Sequence, residues 1–596
     1  MKAISKKCAA LFLAAAALLA LRGTGFAQQT LSVTPSVTSN TYAGVITLAI
    51  GGLTNGEKVV IQKYLDLNAN GTIDSGEPLI DAFKISDGGV MVIGGVTNIN
   101  VPFDSNPVAG AITTTLNFPA AMPLENIVGQ QIIQLASPAG RFPPVTATFT
   151  VTNAALSQSV TGIVYSNGVP MPNAVVVAQD QVQNNTVGAA VADNTGHYLL
   201  RLNPGSYALL TAMPNFYFNQ SLAPSVVLTN GVPATNSLFL TNGTVAISGS
   251  VYDAANSNAL GGALLTLDSG NFFAISFTDS NGNYSAAVSP SYWKIRPAKE
   301  RLTRRAYVQP EATLQVDATT GAVANVGIAL PKGTALFYGR LTDNSNTPFA
   351  NVQFDASAGN GLDAKGYSDA NGNYAVAVLG DQTNYWSCNA NSGLNTSQGS
   401  YIANFFCCTT LSNNQSLQVN FVALPAIGRI SGRVQDNSGN PVAGVTLMDD
   451  ANIGGNEYQS QESTTDNSGN YSLAVASGQW NIQFLNGGFQ DNLDTHGFVD
   501  LTAPHVVTIP PTNVVLNLTV YPIGTPLISA PHRFSSSQFG FNINGASNVT
   551  YTVQASTNIA STNWLSLFSF QLTTNPFPVV DVNATNSPRY YRVRKN

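Results

Sequence analysis

The chain has 596 residues, with 25 Lys and Arg against 31 Asp and Glu, so only 9% of its side chains are charged and the net charge is −6. A soluble domain ordinarily carries roughly 25% charged residues, so highly charged disorder is excluded. A hydrophobic fraction of 44% with 28 Phe and 21 Tyr is material for several cores, four or more at about 150 residues each. The 52 Gly and 31 Pro, with abundant Asn, Thr and Ser, favour strands and tight turns, because these residues supply turn geometry and weaken helix interiors.

Residues 1–27 read as a secretory signal peptide: Lys2, Lys6 and Lys7 precede an apolar run from Ala9 to Leu21, and Gly25-Phe26-Ala27 offers a small-residue cleavage site. Arg22 ends the run short of the about 20 residues a membrane span needs. Cys8 lies before the run, where a lipid-anchored cysteine would follow it. No later run is long enough to span a bilayer, so no transmembrane segment is expected, and the location implied is secreted, extracellular or cell-surface. Without the leader the net charge is −10; nucleic acid is not expected as a partner, since phosphate neutralisation needs a basic surface.

Residues 28–155 carry alternating runs such as Gly44–Ile50 and Ala147–Val151, the pattern of an immunoglobulin-like sandwich. Within them, Asp66-Leu67-Asn68-Ala69-Asn70-Gly71-Thr72-Ile73-Asp74-Ser75-Gly76-Glu77 matches the twelve-position calcium loop of EF-hands. Asp66, Asn68, Asn70 and Asp74 offer side-chain oxygens, Thr72 its carbonyl, Glu77 two carboxylate oxygens, and Gly71 takes the sharp turn. The flanks favour strands, and Pro78 is a poor start for an exiting helix, so a loop between strands is expected. Its structural calcium should bind weakly, roughly 0.1–1 mM with three carboxylates. The alternative is an ion-free Asn/Gly turn.

One pattern then recurs four times: Ala192–Tyr198, Thr278–Tyr284, Ser368–Tyr374 and Thr465–Tyr471, each with Asp at its second place, Gly at its fifth and Tyr at its seventh. Each copy follows a strand marked by Gly162, Gly249, Gly339 or Gly432. The Asp-x-x-Gly segment reads as a turn in which Asp bonds the backbone and Gly takes a positive φ. The Tyr opens an alternating strand.

The combination of an early Gly-x-Val, a middle Pro-x-x-Gly/Asn-Ala-x-Val and a late Thr-Asp-x-x-Gly-x-Tyr resembles the carboxypeptidase regulatory-like domain. The resemblance covers residues 156–523 and implies a transthyretin-like or starch-binding-like prealbumin sandwich of about seven strands, serving as an accessory or adhesive module. A glycan ligand is implied by the same resemblance. The domains expected are 156–242, 243–332, 333–425 and 426–523, followed by a β module at 524–596 of a kind found on secreted bacterial proteins. The whole is all-β, a string of about six β-sandwich modules.

Aromatic residues recur after the repeat tyrosines: Tyr207, Trp293 and Trp480 nine residues on, Trp386 twelve. They are the candidate sugar platforms, since aromatic faces stack on apolar surfaces; a recurring aromatic at a strand start is more often core, and burial decides between the two. Lys294, Arg296, Lys299, Arg301, Arg304 and Arg305 form a basic run, expected as a solvated edge, with an anionic-glycan site as the alternative. Of the three cysteines beyond the leader, Cys388 is expected to pair with Cys407 or Cys408, because adjacent cysteines rarely bridge each other; zinc is disfavoured by the spacing.

No histidine begins a zinc-protease motif, and there is no G-x-S-x-G elbow or P-loop, so no catalytic residues are assigned. Carboxylate pairs such as Asp449-Asp450 leave a hydrolase as a minor alternative. The reading reached is a non-enzymatic secreted surface protein, adhesive or scaffolding, with carbohydrate binding and matrix or cell-surface components as partners. A dedicated carbohydrate-binding protein of a polysaccharide-degrading system is the main alternative.

Overall fold

The computed structural model describes residues 28–596 except 120, 121, 123, 182–185, 230, 311–313, 391–393, 397, 398, 486–491, 511, 512, 586 and 587. The signal peptide expected at 1–27 lies outside them. Among the described residues the regular structure is almost all strand, with one α-helical turn at Lys299–Leu302 and 3-10 turns at Gln220–Leu222 and Thr303–Arg305. None of these helices is long and apolar enough to cross a membrane. Two compact units divide the chain: one runs to Ala390 and takes back Phe406–Phe421, the other comprises Asn391–Phe405 and Val422–Asn596. The domain edge expected at 425 therefore falls at the end of a strand, Phe421–Pro425, and the third repeat's sequence serves both units.

The first domain is a sandwich of three strands (Thr30–Thr34, Val45–Gly51, Ile112–Asn117) against five (Val37–Ser39, Lys58–Asp66, Leu79–Ser86, Gly129–Ala136, Val145–Thr152). Its alternating residues meet as Ile46, Leu48, Val59, Ile61, Phe83, Ile133 and Phe149 in one core, as the period of two requires.

Each repeat uses its signature residues in the same way. The glycine strand lies antiparallel to the tyrosine strand with Gly directly opposite Tyr: Gly162 with Tyr198, Gly249 with Tyr284, Gly339 with Tyr374, Gly432 with Tyr471. A later segment closes on the other side of the glycine, and a Cβ there would overlap the carbonyl oxygen of Asn236, Val326, Val419 or Leu516. The tyrosine hydroxyl donates to that same carbonyl at 2.7, 3.0, 2.7 and 2.7 Å. Glycine thus admits the carbonyl that tyrosine binds. In the turn before each tyrosine, Oδ1 of Asp193, Asp279, Asp369 or Asp466 accepts two backbone N–H groups, while the glycine three residues on has φ between 74° and 77°, a conformation it adopts without Cβ strain.

Within the first unit the modules are joined rather than merely adjacent. Strand Phe216–Asn219 of repeat 1 pairs with both Leu238–Asn242 and Phe272–Phe277, so one sheet runs from repeat 1 into repeat 2. Val128 of the first domain exchanges backbone bonds with the strand Thr186–Val191. Asn100 of the first domain is buried against repeat 3, donating to the carbonyls of Tyr367 and Ala375 and accepting from the Tyr367 N–H. In the second unit, Ile402 packs into the core of repeat 4 beside Tyr458 and Trp480. The C-terminal module there sets Leu527–Ser535, Gln538–Asn544 and Phe577–Asp581 against Thr550–Ser556, Leu565–Gln571 and Tyr590–Lys595.

Candidate functional site

The strands Lys58–Asp66 and Leu79–Ser86 pair from Lys58 opposite Ser86 up to Tyr64 opposite Leu79, so Asp66 to Glu77 forms the hairpin connection expected between strands. Its left-handed positions fall at Ala69, Gly71 and Gly76. These turns bring the oxygen-bearing side chains inward. Asp66 accepts from the Asn70 and Gly71 N–H groups at 3.2 and 2.8 Å, and from Gln130 Nε2 at 2.9 Å on the neighbouring strand. Glu77 spans the loop, its two oxygens taking the Leu67 and Asp74 N–H groups, each at 3.0 Å. Asp74 Oδ2 receives the side-chain amides of Asn68 and Asn70 at 2.8 and 2.7 Å. Those two amides, with Thr72, hold the Asp74 carboxyl below the usual carboxylate range.

The donor set is of the oxygen-rich kind that a hard cation takes. Asp66, Asn68, Asn70, Asp74 and Glu77 are linked through hydrogen bonds within this one loop, and two amide N–H groups bring partial positive charge to the Asp74 carboxylate. Turning either amide end for end would present its oxygen instead. Among the described residues no three His, Cys, Asp or Glu side chains converge as a metal cluster; here the carboxylates are drawn to loop N–H groups rather than to one centre. The sixth ligand, Thr72, would act through its carbonyl. The loop borders a junction of three modules, where Leu65, Ile80, Leu124 and Ile127 of the first domain pack with Val175, Ala189 and Ala212 of repeat 1 and Leu264, Ile275 and Ala298 of repeat 2.

The four candidate sugar platforms are core. Trp293, Trp386 and Trp480 are fully buried and Tyr207 nearly so. Each polar tip is tied to the turn before its own strand: Trp293 Nε1 donates to Ser289 O at 2.9 Å, Trp480 Nε1 to Ala476 O at 2.9 Å, Trp386 Nε1 to Leu379 O at 3.1 Å, and the Tyr207 hydroxyl to Asn203 O at 2.9 Å. The shared offset is the spacing that lets an aromatic anchor its preceding turn. None of the four offers a face to a sugar.

The basic run is not a solvated edge. Lys294 and Arg296 are exposed on the strand Tyr292–Pro297, but Arg301 and Arg304, on the helical turns that follow, are 2% and 3% exposed. Arg304 binds Asp81 at 2.6 Å, Glu125 at 2.6 Å and the Asn117 carbonyl at 2.7 Å. Arg301 reaches Glu125 at 3.5 Å and the Ile80 carbonyl. Lys63 completes the group, 3.3 Å from Glu125. Burial lowers the Lys63 ammonium to about 8 against the pull of Glu125, and the neighbouring arginines push the same way. The Glu125 carboxyl is driven far down by Arg304, Lys63 and Arg301 despite its burial. Arg301 and Arg304 are thus the buried cationic half of the seam between repeat 2 and the first domain. Lys299 extends it to repeat 3 through Asp363.

The cysteine expectation is also corrected. Cys407 bonds Cys408, and Cys388 is free and buried. Cys388 sits on the strand Trp386–Ala390 opposite Ala356, and it faces inward, hydrogen-bonded to Tyr374; burial pushes its thiol up. Cys407 and Cys408 lie in an exposed loop. Asp449 is buried, with both carboxylate oxygens bonded to Ser460. Trp564, the tryptophan outside the repeats, was not singled out by spacing. It is half-buried in the C-terminal module with the Arg592 guanidinium 4.5 Å above its ring.

No family model matches the chain, and no curated protein matches it. Among solved structures it is similar to the Bacillus anthracis TIE protein, at 12% identity over 67% of this chain and 76% of that one, with a TM-score of 0.15. It is similar to a streptococcal ancillary pilin at 13% identity, over 47% and 98% of the two chains, with a TM-score of 0.16. A DUF3823 family protein from Parabacteroides merdae matches at 16% identity, over 28% and 89%, with a TM-score of 0.13. Likenesses of this degree carry no argument about activity or partners.

Proposed function

We propose that the chain is a non-enzymatic, secreted surface protein, an adhesive or scaffolding array of β-sandwiches built on carboxypeptidase regulatory-like repeats, with a structural calcium ion in the first domain. The observation that carries this reading is the way the modules are joined. The apolar cluster of three modules and the buried Arg301–Arg304–Glu125–Asp81 group spend side chains on holding modules together that a ligand site would keep open. The repeat signature is spent likewise: Gly, Asp and Tyr of each copy are consumed by internal bonds.

Calcium at Asp66, Asn68, Asn70, Thr72, Asp74 and Glu77 would neutralise the loop's carboxylates and stiffen the hairpin whose flanks, Leu65 and Ile80, pack in the three-module junction. Its role would be mechanical. Carbohydrate binding, which the family resemblance implies, gains nothing from Tyr207, Trp293, Trp386 and Trp480, whose rings are buried.

The test is protease treatment of intact producing cells, with adhesion of a deletion strain measured beside it. A surface protein is cleaved without lysis, and its deletion weakens attachment. Protection from protease until lysis, or unchanged attachment, would sink the reading.

A further inference from the structure

The C-terminal module departs from the rest of the chain in charge. Residues 524–596 hold five cations, Arg533, Arg589, Arg592, Arg594 and Lys595, and a single acid, Asp581, in a protein whose net charge is −6. Asp581 is occupied by Arg589 at 2.6 Å. The terminal strand Tyr590–Lys595 therefore carries unneutralised charge, and its register shows where. Arg592 lies opposite Gln554 and Arg594 opposite Thr552. Tyr551, Val553 and Ala555 fill the core, and the alternating Thr552, Gln554, Arg592 and Arg594 belong to the opposite face, on which Arg592 and Arg594 are exposed while Thr552 and Gln554 are each only 9% exposed.

That face is organised. Arg592 Nε donates to Gln554 Oε1 at 2.8 Å, and Gln554 Nε2 to Ser566 Oγ at 3.0 Å. The Arg592 guanidinium also lies over the Trp564 ring, 4.5 Å from its centroid, and the ring is held by its own Nε1 bond to Ser561 O at 2.8 Å. The bonds fix Arg592 through Nε alone, and among the described residues no side chain or carbonyl is bonded to the exposed Arg594 guanidinium. Two guanidinium groups two residues apart on one strand face stand roughly 6.5–7 Å apart, each able to take a carboxylate bidentately.

We propose that this sheet face docks an acidic polysaccharide whose sugars carry carboxylates, Arg592 and Arg594 each taking a carboxylate and the half-buried Trp564 beside Arg592 taking a sugar ring. Charge complementarity commits the face to a polyanion. The exposed Ser566 hydroxyl and the Trp564 ring beside the charges suit a saccharide. The inference deepens the surface reading by naming what the protein would hold there. Protease accessibility on cells and polymer binding in solution are separate measurements, so either can fail without the other.

The experiment is binding of the full secreted chain to immobilised polygalacturonate at 150 mM salt, with neutral dextran and dextran sulfate in parallel. Polygalacturonate is expected to bind, and the Arg592→Gln/Arg594→Gln double variant to bind at least tenfold more weakly. Trp564→Ala and Arg592→Lys should each lose severalfold, the latter because it keeps charge but not the plane. A control, Lys294→Gln/Arg296→Gln, removes two exposed cations elsewhere and should leave affinity unchanged. If the double variant disturbs folding, Arg594→Gln alone is read, and it must still weaken binding. Absence of polygalacturonate binding, dextran sulfate bound equally well, or an equal loss in the control would each overturn the proposal.

Discussion

Glu125 is the residue on which the first unit's ionic seam turns. Its carboxylate lies 2.6 Å from Arg304, 3.3 Å from Lys63 and 3.5 Å from Arg301, all nearly inaccessible to water. At an effective dielectric constant of about 20, one such pair at this distance is worth about 5 kcal/mol before desolvation is charged against it. Glu125→Gln keeps the shape, removes the negative charge and leaves three buried cations facing Asp81 alone. Breaking a buried pair on one side typically costs about 3–5 kcal/mol. Lys63, already lowered to about 8, can shed its proton and relieve part of this, so the lower end, about 3 kcal/mol, is expected. Because the Glu125 carboxyl is depressed in the fold, its contribution is present above the ordinary glutamate range and is lost as pH falls below it; the variant should lack that acid-side loss. Urea denaturation followed by hydrogen exchange in the strands of the first domain and repeat 2 measures both. A destabilisation below about 1 kcal/mol, or an unchanged acid limb, would refute the view that this cluster holds the seam.

Calcium at 10 mM, ten to a hundred times the dissociation constant expected, should stabilise the first unit by about 1.4–2.7 kcal/mol; Glu77→Ala should abolish that gain, as differential scanning calorimetry with and without chelator can show. Tyr471→Phe removes the hydroxyl that binds Leu516 O and should cost about 1–1.5 kcal/mol, whereas Gly432→Ala forces that carbonyl away and should cost more, a ranking that urea titration of the second unit tests. Asp449 is raised by burial to about 6 from 3.8, so the folded form holds a proton the unfolded chain has lost between those values, and stability of the second unit should fall as pH rises from 4 to 6 by about 2 kcal/mol. Asp449→Asn should flatten that slope in pH-dependent melting.

What the sequence made legible was whatever has a local cause. The Asp-x-x-Gly turns, the strand after each tyrosine and the hairpin around Asp66–Glu77 are decided by residues within a few positions of one another, and they stand where expected. The tyrosine hydroxyl was opaque because its acceptor lies 38 to 45 residues on. The basic run misled for the same reason: the acids that neutralise Arg301 and Arg304 are 176 to 223 residues away, so only the fold reveals that these cations are paired and dry. Cys388 was assigned to a disulfide by counting thiols, but strand alternation turns it into the core. The nine-residue offset of the aromatics fits a sugar platform and a core anchor alike, and only the carbonyls that receive their N–H and O–H groups decide between them.

The chain passes between its two compact units three times, at residues 390/391, 405/406 and 421/422. No single peptide bond therefore separates them intact. A cut after Ala390 would strip the first unit of Val419, which receives the Tyr374 hydroxyl, and of Phe421, which packs on Phe354 and Tyr374. A cut after Phe421 would strip the second of Ile402 from its core. Cleavage at either of these two points would yield one damaged piece, and cleavage anywhere between them would damage both. During synthesis, too, the first unit cannot finish folding until Phe406–Phe421, which follow part of its successor in the chain, have emerged.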